Sequence, residues 1–272
     1  MDIFMERIAP IQINYLGYPG TLGSNSIDYI LADKMIIPNK LKKYYTERVL
    51  YLPNCYQPNT NELFIDEKKN KKEFIKVDFK LPEDNLIFCC FNSNHKINPF
   101  IFNTWMNILK KVEKSILWIY ANNETARQNL KQEAKKRGID HNRIIFAEKV
   151  SISDHLKRMK LADIFLDTFP YNAHTSASDS IRMGLPVITL QGKSFASRVA
   201  SSILSSINMP ELITTKIDEY ENLAIKLGND KSYLNEIKNK IKTNINKNPL
   251  FNSVKFTKDL ENIYKKLLNK NL

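Results

Sequence analysis

From about residue 80 onward the sequence repeats one pattern, and that pattern limits the possible folds more than any other feature. Five short apolar runs, at residues 86–91, 116–120, 143–146, 163–166 and 186–190, are separated by longer amphipathic stretches. The runs are rich in Ile, Leu, Val and Phe and show no polar/apolar alternation, as expected of parallel strands buried on both faces. Between them lie helix signals. Asn98-Pro99 opens one helix with proline at its first position. Residues 123–137 form a second, closed by Gly138. Ser153-Asp154 is expected to cap a third running to Lys160, and Met183-Gly184 ends a fourth. Strand and helix in strict alternation imply an α/β fold built on a Rossmann-like, doubly wound parallel sheet with right-handed crossovers.

The first 80 residues read differently. IQINYLG, DYILADKMIIP and RVLYLP look like three short strands, and GYPGTLG like a turn-rich loop. That is too little to close a domain, so residues 1–78 are expected to be the remnant of an N-terminal α/β lobe plus a linker. The polar stretch at 59–80 is read as surface linker. Residues 79–272 form the second lobe, finished by helices near 217–228, 231–245 and 252–268. At about 150 residues per domain, 272 residues agree with two units or one large one.

Composition removes several function classes. With 43% hydrophobic residues there is enough apolar side chain to offset chain entropy, so disorder is excluded. No apolar run reaches the roughly 18 residues a membrane helix needs, and MDIFMERIAPIQ has no signal-peptide core. The net charge of +12 admits anionic partners. Lysines spread among Asn and Ile, as at 68–72, 131–136 and 238–247, read more simply as a solvated basic surface. No aromatic and basic residues interleave into a stacking platform, so nucleic acid is not an expected partner. Cys55 and the adjacent Cys89-Cys90 show neither CxxC nor metal-ligand spacing. They read as buried reduced thiols, which fits a cytoplasmic protein.

Ligands of open parallel sheets bind beyond the carboxyl ends of the strands. Three polar segments fall there. FNSNHK (91–96) offers Lys96 as a cation between a buried strand and a helix start, with Ser93, Asn94 and His95 as hydrogen-bonding groups. DTFPYNAHTSASD (167–179) leaves a strand and opens a helix at His174-Thr175-Ser176, where small residues let an anion approach free backbone N–H groups. Asp179 lies on the face of Thr175, placed to accept from a ribose. The segment at 151–158 puts His155 and Arg158 on one helical face, which taken alone is an ordinary solvated surface. In the first lobe LGYPGTLG (16–23), with Gly17, Gly20 and Gly23, permits close backbone approach but is neither GxGxxG nor a Walker loop. The histidines lack metal-ligand spacing and no DxD motif occurs, so phosphate is expected to be neutralised by Lys96 and a helix N-terminus without a metal.

Taken in order, LGYPGT, FNSNHKINP, RIIF with the following His155, LADIFLDTFPYNAHTSASD and ASRVA resemble the catalytic region of the O-linked N-acetylglucosamine transferases, in their bacterial SPINDLY-type branch. ELI, EYENLAIKLG and PLFNSVKFTKDLENIY resemble that family's C-terminal end. The resemblance spans nearly the whole chain. It implies a GT-B glycosyltransferase with a cleft between two Rossmann-like lobes, passing sugar with inversion, and without a cofactor or metal, from a UDP-sugar to a Ser or Thr of a protein acceptor. By matching position it implies Lys96 at the diphosphate as the catalytic cation. It also implies His155 and Arg158 at the uracil, Asp179 at the ribose, and His174, Thr175 and Ser176 at the phosphates and sugar. Ser93 joins the donor-binding set, and Leu16 and Gly17 approach the sugar from the other lobe. The family's tetratricopeptide repeats and an acceptor-side histidine are expected to precede residue 1. Ile152 stands where members can carry a ribose-contacting lysine, and Tyr171 where the best-known members have a smaller side chain near the acetamido group. The sugar is therefore N-acetylglucosamine or another hexose. An Asn-glucosylating transferase of the same fold and a non-catalytic nucleotide-sugar-binding fragment are the alternatives.

Overall fold

The computed structural model describes residues 2–62 and 73–271. The lysine run at 68–72 and the middle of the expected linker therefore lie outside the described residues. After a single helical turn, α1 (Asp2–Met5), three parallel strands β1 (Ile13–Asn14), β2 (Tyr29–Ala32) and β3 (Arg48–Tyr51) pair in chain order. The strands expected in the first 80 residues are present but shorter than their apolar segments, with β1 reduced to two residues.

The second sheet is larger. Its strands are β4 (Leu86–Cys90), β5 (Ser115–Tyr120), β6 (Ile144–Ala147), β7 (Ile164–Leu166), β8 (Val187–Leu190) and β9 (Ile213–Thr214). They run in the order β6-β5-β4-β7-β8-β9, every pair parallel. Leu117, Trp118, Ile119, Phe165 and Ile188 are fully buried, which is why these strands read as continuous apolar runs. Chain direction across the sheet reverses between β4 and β7. In an open α/β sheet that reversal opens a crevice at the strands' carboxyl ends.

The crossovers are α2 (Pro99–Lys111), α3 (Glu124–Lys136), α4 (Ile152–Met159), α5 (Thr175–Arg182) and α6 (Val199–Ser206). Asn98 and Asn123 cap α2 and α3 by accepting from Ile101 N and Ala126 N. Gly138 and Gly184, both with left-handed φ, follow α3 and α5. The third helix departs from expectation at its start. Ser151, not Ser153-Asp154, is its N-cap, because the Ser151 hydroxyl accepts from Asp154 N. Both β9 and α6 escaped the sequence reading. β9 is two residues long, and α6 is an almost uniformly buried Ser/Ala/Ile stretch with no amphipathic period.

The chain ends with α7 (Ile217–Asn229), α8 (Lys231–Lys247) and α9 (Ser253–Asn271). Ser253 at the start of α9 donates to Asn61 Oδ1, and Phe256 and Asp259 face Leu52 and Cys55, so the last helix returns to the first lobe. One apolar core runs from Ile30, Leu31, Ile36, Ile37 and Leu52 of the first lobe through the large sheet to Leu250. The ends of the stretch read as linker are packed. Thr60 O accepts from Arg182, and Phe79 meets Trp118 at 5.3 Å. Among the described residues no helix is long and apolar enough to cross a membrane.

Candidate functional site

The sheet reversal puts the loops after β4 and β7 side by side, and side chains stitch them together. Asn92 donates to Asp167 Oδ1 at 3.2 Å and to Thr168 Oγ1 at 2.8 Å. Asn98 Nδ2 reaches Phe169 O at 2.6 Å, and Lys96 Nζ donates to Asn172 O at 3.0 Å. Asp167 anchors the second loop. Fully buried, it accepts from Thr168 N, Ala173 N and Thr189 Oγ1. Burial pushes its pKa up to about 6, against the pull of those hydrogen bonds and of Lys96. The loop is thus held by a polar cluster that leaves the Lys96 ammonium at the threshold of α5.

The start of α5 is open. His174 occupies the N-cap position without a side-chain cap bond, and its carbonyl accepts from Ala177 N and Ser178 N. The first N–H groups of α5, those of Thr175 and Ser176, point out at the positive end of the helix. His174 packs flat on Tyr171 at 5.0 Å and 22°, while Lys96 Nζ lies 4.2 Å above the same ring. Burial, helped by Lys96, lowers the His174 pKa to about 4, and its Nε2 is buried with no hydrogen-bond partner among the described residues. Burial lowers the Lys96 pKa as well, with Asp167 opposing. An ammonium already short of solvent beside unused N–H donors is a site that gains from a bound anion.

A cleft of about 520 Å³ runs from this point between the lobes. Leu16, Tyr56, Gln57 and Thr60 line it from the first lobe, and Ile152, His155, His174, Thr175 and Asp179 from the second. His155 meets Phe91 edge-on at 5.1 Å. Burial and the neighbouring Arg158 lower its pKa to about 4, so at neutral pH it is uncharged. Its Nδ1 accepts from Arg158 Nε at 3.0 Å, which leaves the proton on Nε2 as a donor. Asp179 carries a pKa raised by burial and opposed by Arg182.

The sequence-derived residues thus separate into groups. Leu16, His155, His174, Thr175 and Asp179 share the cleft. Lys96 adjoins it through Asn172 and Tyr171, and Ser176 follows Thr175 in the first turn of α5. Ser93 hydrogen-bonds His95 Nδ1 at 2.9 Å and does not line the cleft, and Gly17 lines a neighbouring apolar cavity instead. Arg158 does not reach the cleft. At 3% exposure it lies over Phe91 and Trp118, gives its guanidinium to Glu148 O, and orients His155 from behind. Its flat cation finds a better home on two aromatic faces than at the surface. Tyr56, Gln57 and Thr60 were not singled out, the first two because they fall between the expected strand at 48–53 and the stretch at 59–80, and Thr60 because it lies within that stretch, read as linker. Their signal, a buried Gln57 donating to Ser178 Oγ at 2.8 Å, exists only once the lobes meet.

Comparison with known proteins agrees with this architecture. The chain is 35% identical to the "Probable UDP-N-acetylglucosamine--peptide N-acetylglucosaminyltransferase SEC" of Arabidopsis thaliana, over 98% of this chain and 28% of that protein. It is 30% identical to the SPINDLY protein of Solanum lycopersicum, which bears the same "Probable" transferase description, over 96% and 28%. A solved mutant of the Thermobaculum terrenum O-GlcNAc transferase superposes with a TM-score of 0.86 at 26% identity, covering 97% of this chain and 49% of that one. The chain therefore spans under a third of the length of these two curated relatives. Its fold is the two-lobed α/β arrangement of GT-B glycosyltransferases. The sequence profile of Glycosyl transferase family 41 matches residues 1–78 and 66–260, and the chain belongs to that family.

Proposed function

We propose that this chain carries the donor site and transfer centre of an inverting protein glycosyltransferase. It moves N-acetylglucosamine or another hexose from a UDP-sugar to a Ser or Thr hydroxyl. The observation that carries the reading is the Lys96 ammonium fixed by Asn172 O at the open start of α5. A pyrophosphate seated there meets a cation and backbone donors together, which is what a departing nucleoside diphosphate requires, and this supports transfer without a divalent ion. Lys96 stabilises the charge that grows on the β-phosphate as the bond to the sugar carbon breaks. His155 Nε2–H is suited to a pyrimidine carbonyl, with Phe91 and Arg158 holding the imidazole. Asp179, four residues into the same helix, is placed for a ribose hydroxyl, and Leu16 closes over the sugar from the first lobe. With pKa values near 4, neither His155 nor His174 is matched to take the acceptor proton at neutral pH. The three buried free thiols support a reducing compartment, the cytoplasm.

The relatives' names support a peptide acceptor and a UDP-N-acetylglucosamine donor. Incubation with a panel of UDP-hexoses and a Ser/Thr peptide, read by mass spectrometry, tests the reading. One sugar is expected to add to the peptide, and Lys96→Ala to lower the rate by about 100-fold or more, the effect of losing one well-placed electrostatic group. Donor binding without transfer would reduce the chain to a nucleotide-sugar-binding module.

A further inference from the structure

A second groove, of about 670 Å³, opens between the lobes, and its chemistry differs from that of the donor cleft. Tyr18, Lys40 and Tyr44 line it from the first lobe and Lys193, Phe195 and Arg198 from the second. No Asp or Glu is among its lining residues. Two further cations, Lys42 and Lys43, stand on the same helical turn (Asn39–Tyr44) as Lys40, over the rings of Tyr51 and Tyr44. The nearest carboxylates are already committed. Glu47 is buried, accepting from Leu22 N and the hydroxyls of Thr21 and Thr46, and Asp33 is buried, accepting from Met35 N, Ile36 N and Tyr56 N. Arg198 gives its Nε–H to Met35 O and one Nη1–H to Gly192 O, holding the lobes together, and among the described residues no carboxylate contacts it.

The groove adjoins the donor cleft through the contact of Phe195 with Tyr56. Burial raises the pKa of Tyr171, and Tyr18, two residues beyond Leu16, adds to the effect from the groove side. Phe195 packs edge-on against Tyr56 of the donor cleft, centroids 5.1 Å apart. Tyr18 and Tyr44 are more than half exposed. Rings of this kind, with an apolar body and a polar tip, are enriched in recognition surfaces.

We propose that this groove receives an acidic stretch of the acceptor polypeptide, so that Lys40, Lys193 and Arg198 select substrates with Asp or Glu near the accepting hydroxyl while the tyrosines pack its side chains. The proposal rests on the transferase reading above, and continuity with the donor cleft is what favours a polypeptide over an unrelated polyanion. Complementary charge of this sort acts through specificity and association rate and weakens with salt.

Fluorescence anisotropy of the full chain with two labelled Ser peptides, identical except for Glu or Gln at the flanking positions, tests it. The Glu peptide should bind about tenfold more tightly at low salt, and the Lys40→Gln/Lys193→Gln double variant should lose most of that ratio. The UDP-induced rise in melting temperature serves as the control for an intact fold. Equal binding of the two peptides, or a ratio that survives in the double variant, overturns the proposal. So does an RNA oligonucleotide of equal charge that competes as well as the Glu peptide. A peptide ratio without any UDP shift would leave the groove standing and remove the transferase reading; a UDP shift without a ratio would do the reverse.

Discussion

Lys96 and the two cleft histidines show how far a side chain's behaviour depends on what surrounds it. Burial lowers all three pKa values, and the positive neighbours Arg158 and Lys96 add to the effect on His155 and His174. A histidine that titrates near 4 in the fold and near 6.5 in the unfolded chain is stabilising at full strength above pH 6.5. That contribution is lost as the pH falls toward 4, because the unfolded chain takes up protons the fold refuses. Asp167, raised to about 6, works the other way and favours the fold on acidification below that value. From pH 6.5 to 4 the two histidines give stability a falling slope, which Asp33, Asp167 and Asp179, all raised by burial, oppose. His174→Asn should flatten that slope by up to about 1.4 kcal/mol per pH unit, one proton's worth. Urea unfolding across this window measures it, and an unchanged slope in the variant would show that His174 titrates normally in the fold. The places of Lys96, His174 and Thr175 were legible because each lies between a strand end and a helix start, whereas His155 and Asp179 sit inside α4 and α5 and meet the cleft only by helical face. The place of Arg158 was not legible, since sequence spacing places a guanidinium on a helix face without saying whether that face meets solvent or Phe91 and Trp118.

Among the elements, the pairing of the β4 and β7 loops matters most to the site, and Asn98 serves two functions there. Its Oδ1 caps α2 at Ile101 N, and its Nδ2 ties Phe169 O of the opposite loop. Asn98→Ala removes both and should cost about 1–2 kcal/mol in urea unfolding. Asn98→Ser keeps a cap for α2 but is too short to reach Phe169. It should recover most of the stability while still binding UDP about fivefold more weakly. If the serine variant binds UDP as the native chain does, the Asn98–Phe169 bond is not what positions Lys96. The long elements were readable from period, caps and the closing Gly138 and Gly184, since those signals are local. The two-residue β9 and the buried α6 depend on their neighbours for their existence, and no local pattern marks them.

At the scale of the whole molecule, the sequence order of strands does not state which strands become neighbours. The reversal between β4 and β7 is why residues 76 apart, Lys96 and Asn172, share one hydrogen bond. Contacts across the lobes, such as Gln57 to Ser178 and Arg198 to Met35, were invisible for the same reason. The cleft they enclose has its value in joining a base-sized end near His155 to an anion-binding end near Lys96. Titration calorimetry of UDP against uridine in the presence of a chelator tests that joint directly. UDP should bind far more tightly than uridine without any divalent ion, and Lys96→Ala should erase most of the difference while leaving uridine binding in place. Equal affinity for UDP and uridine, or a UDP affinity that appears only when magnesium is restored, would contradict the account.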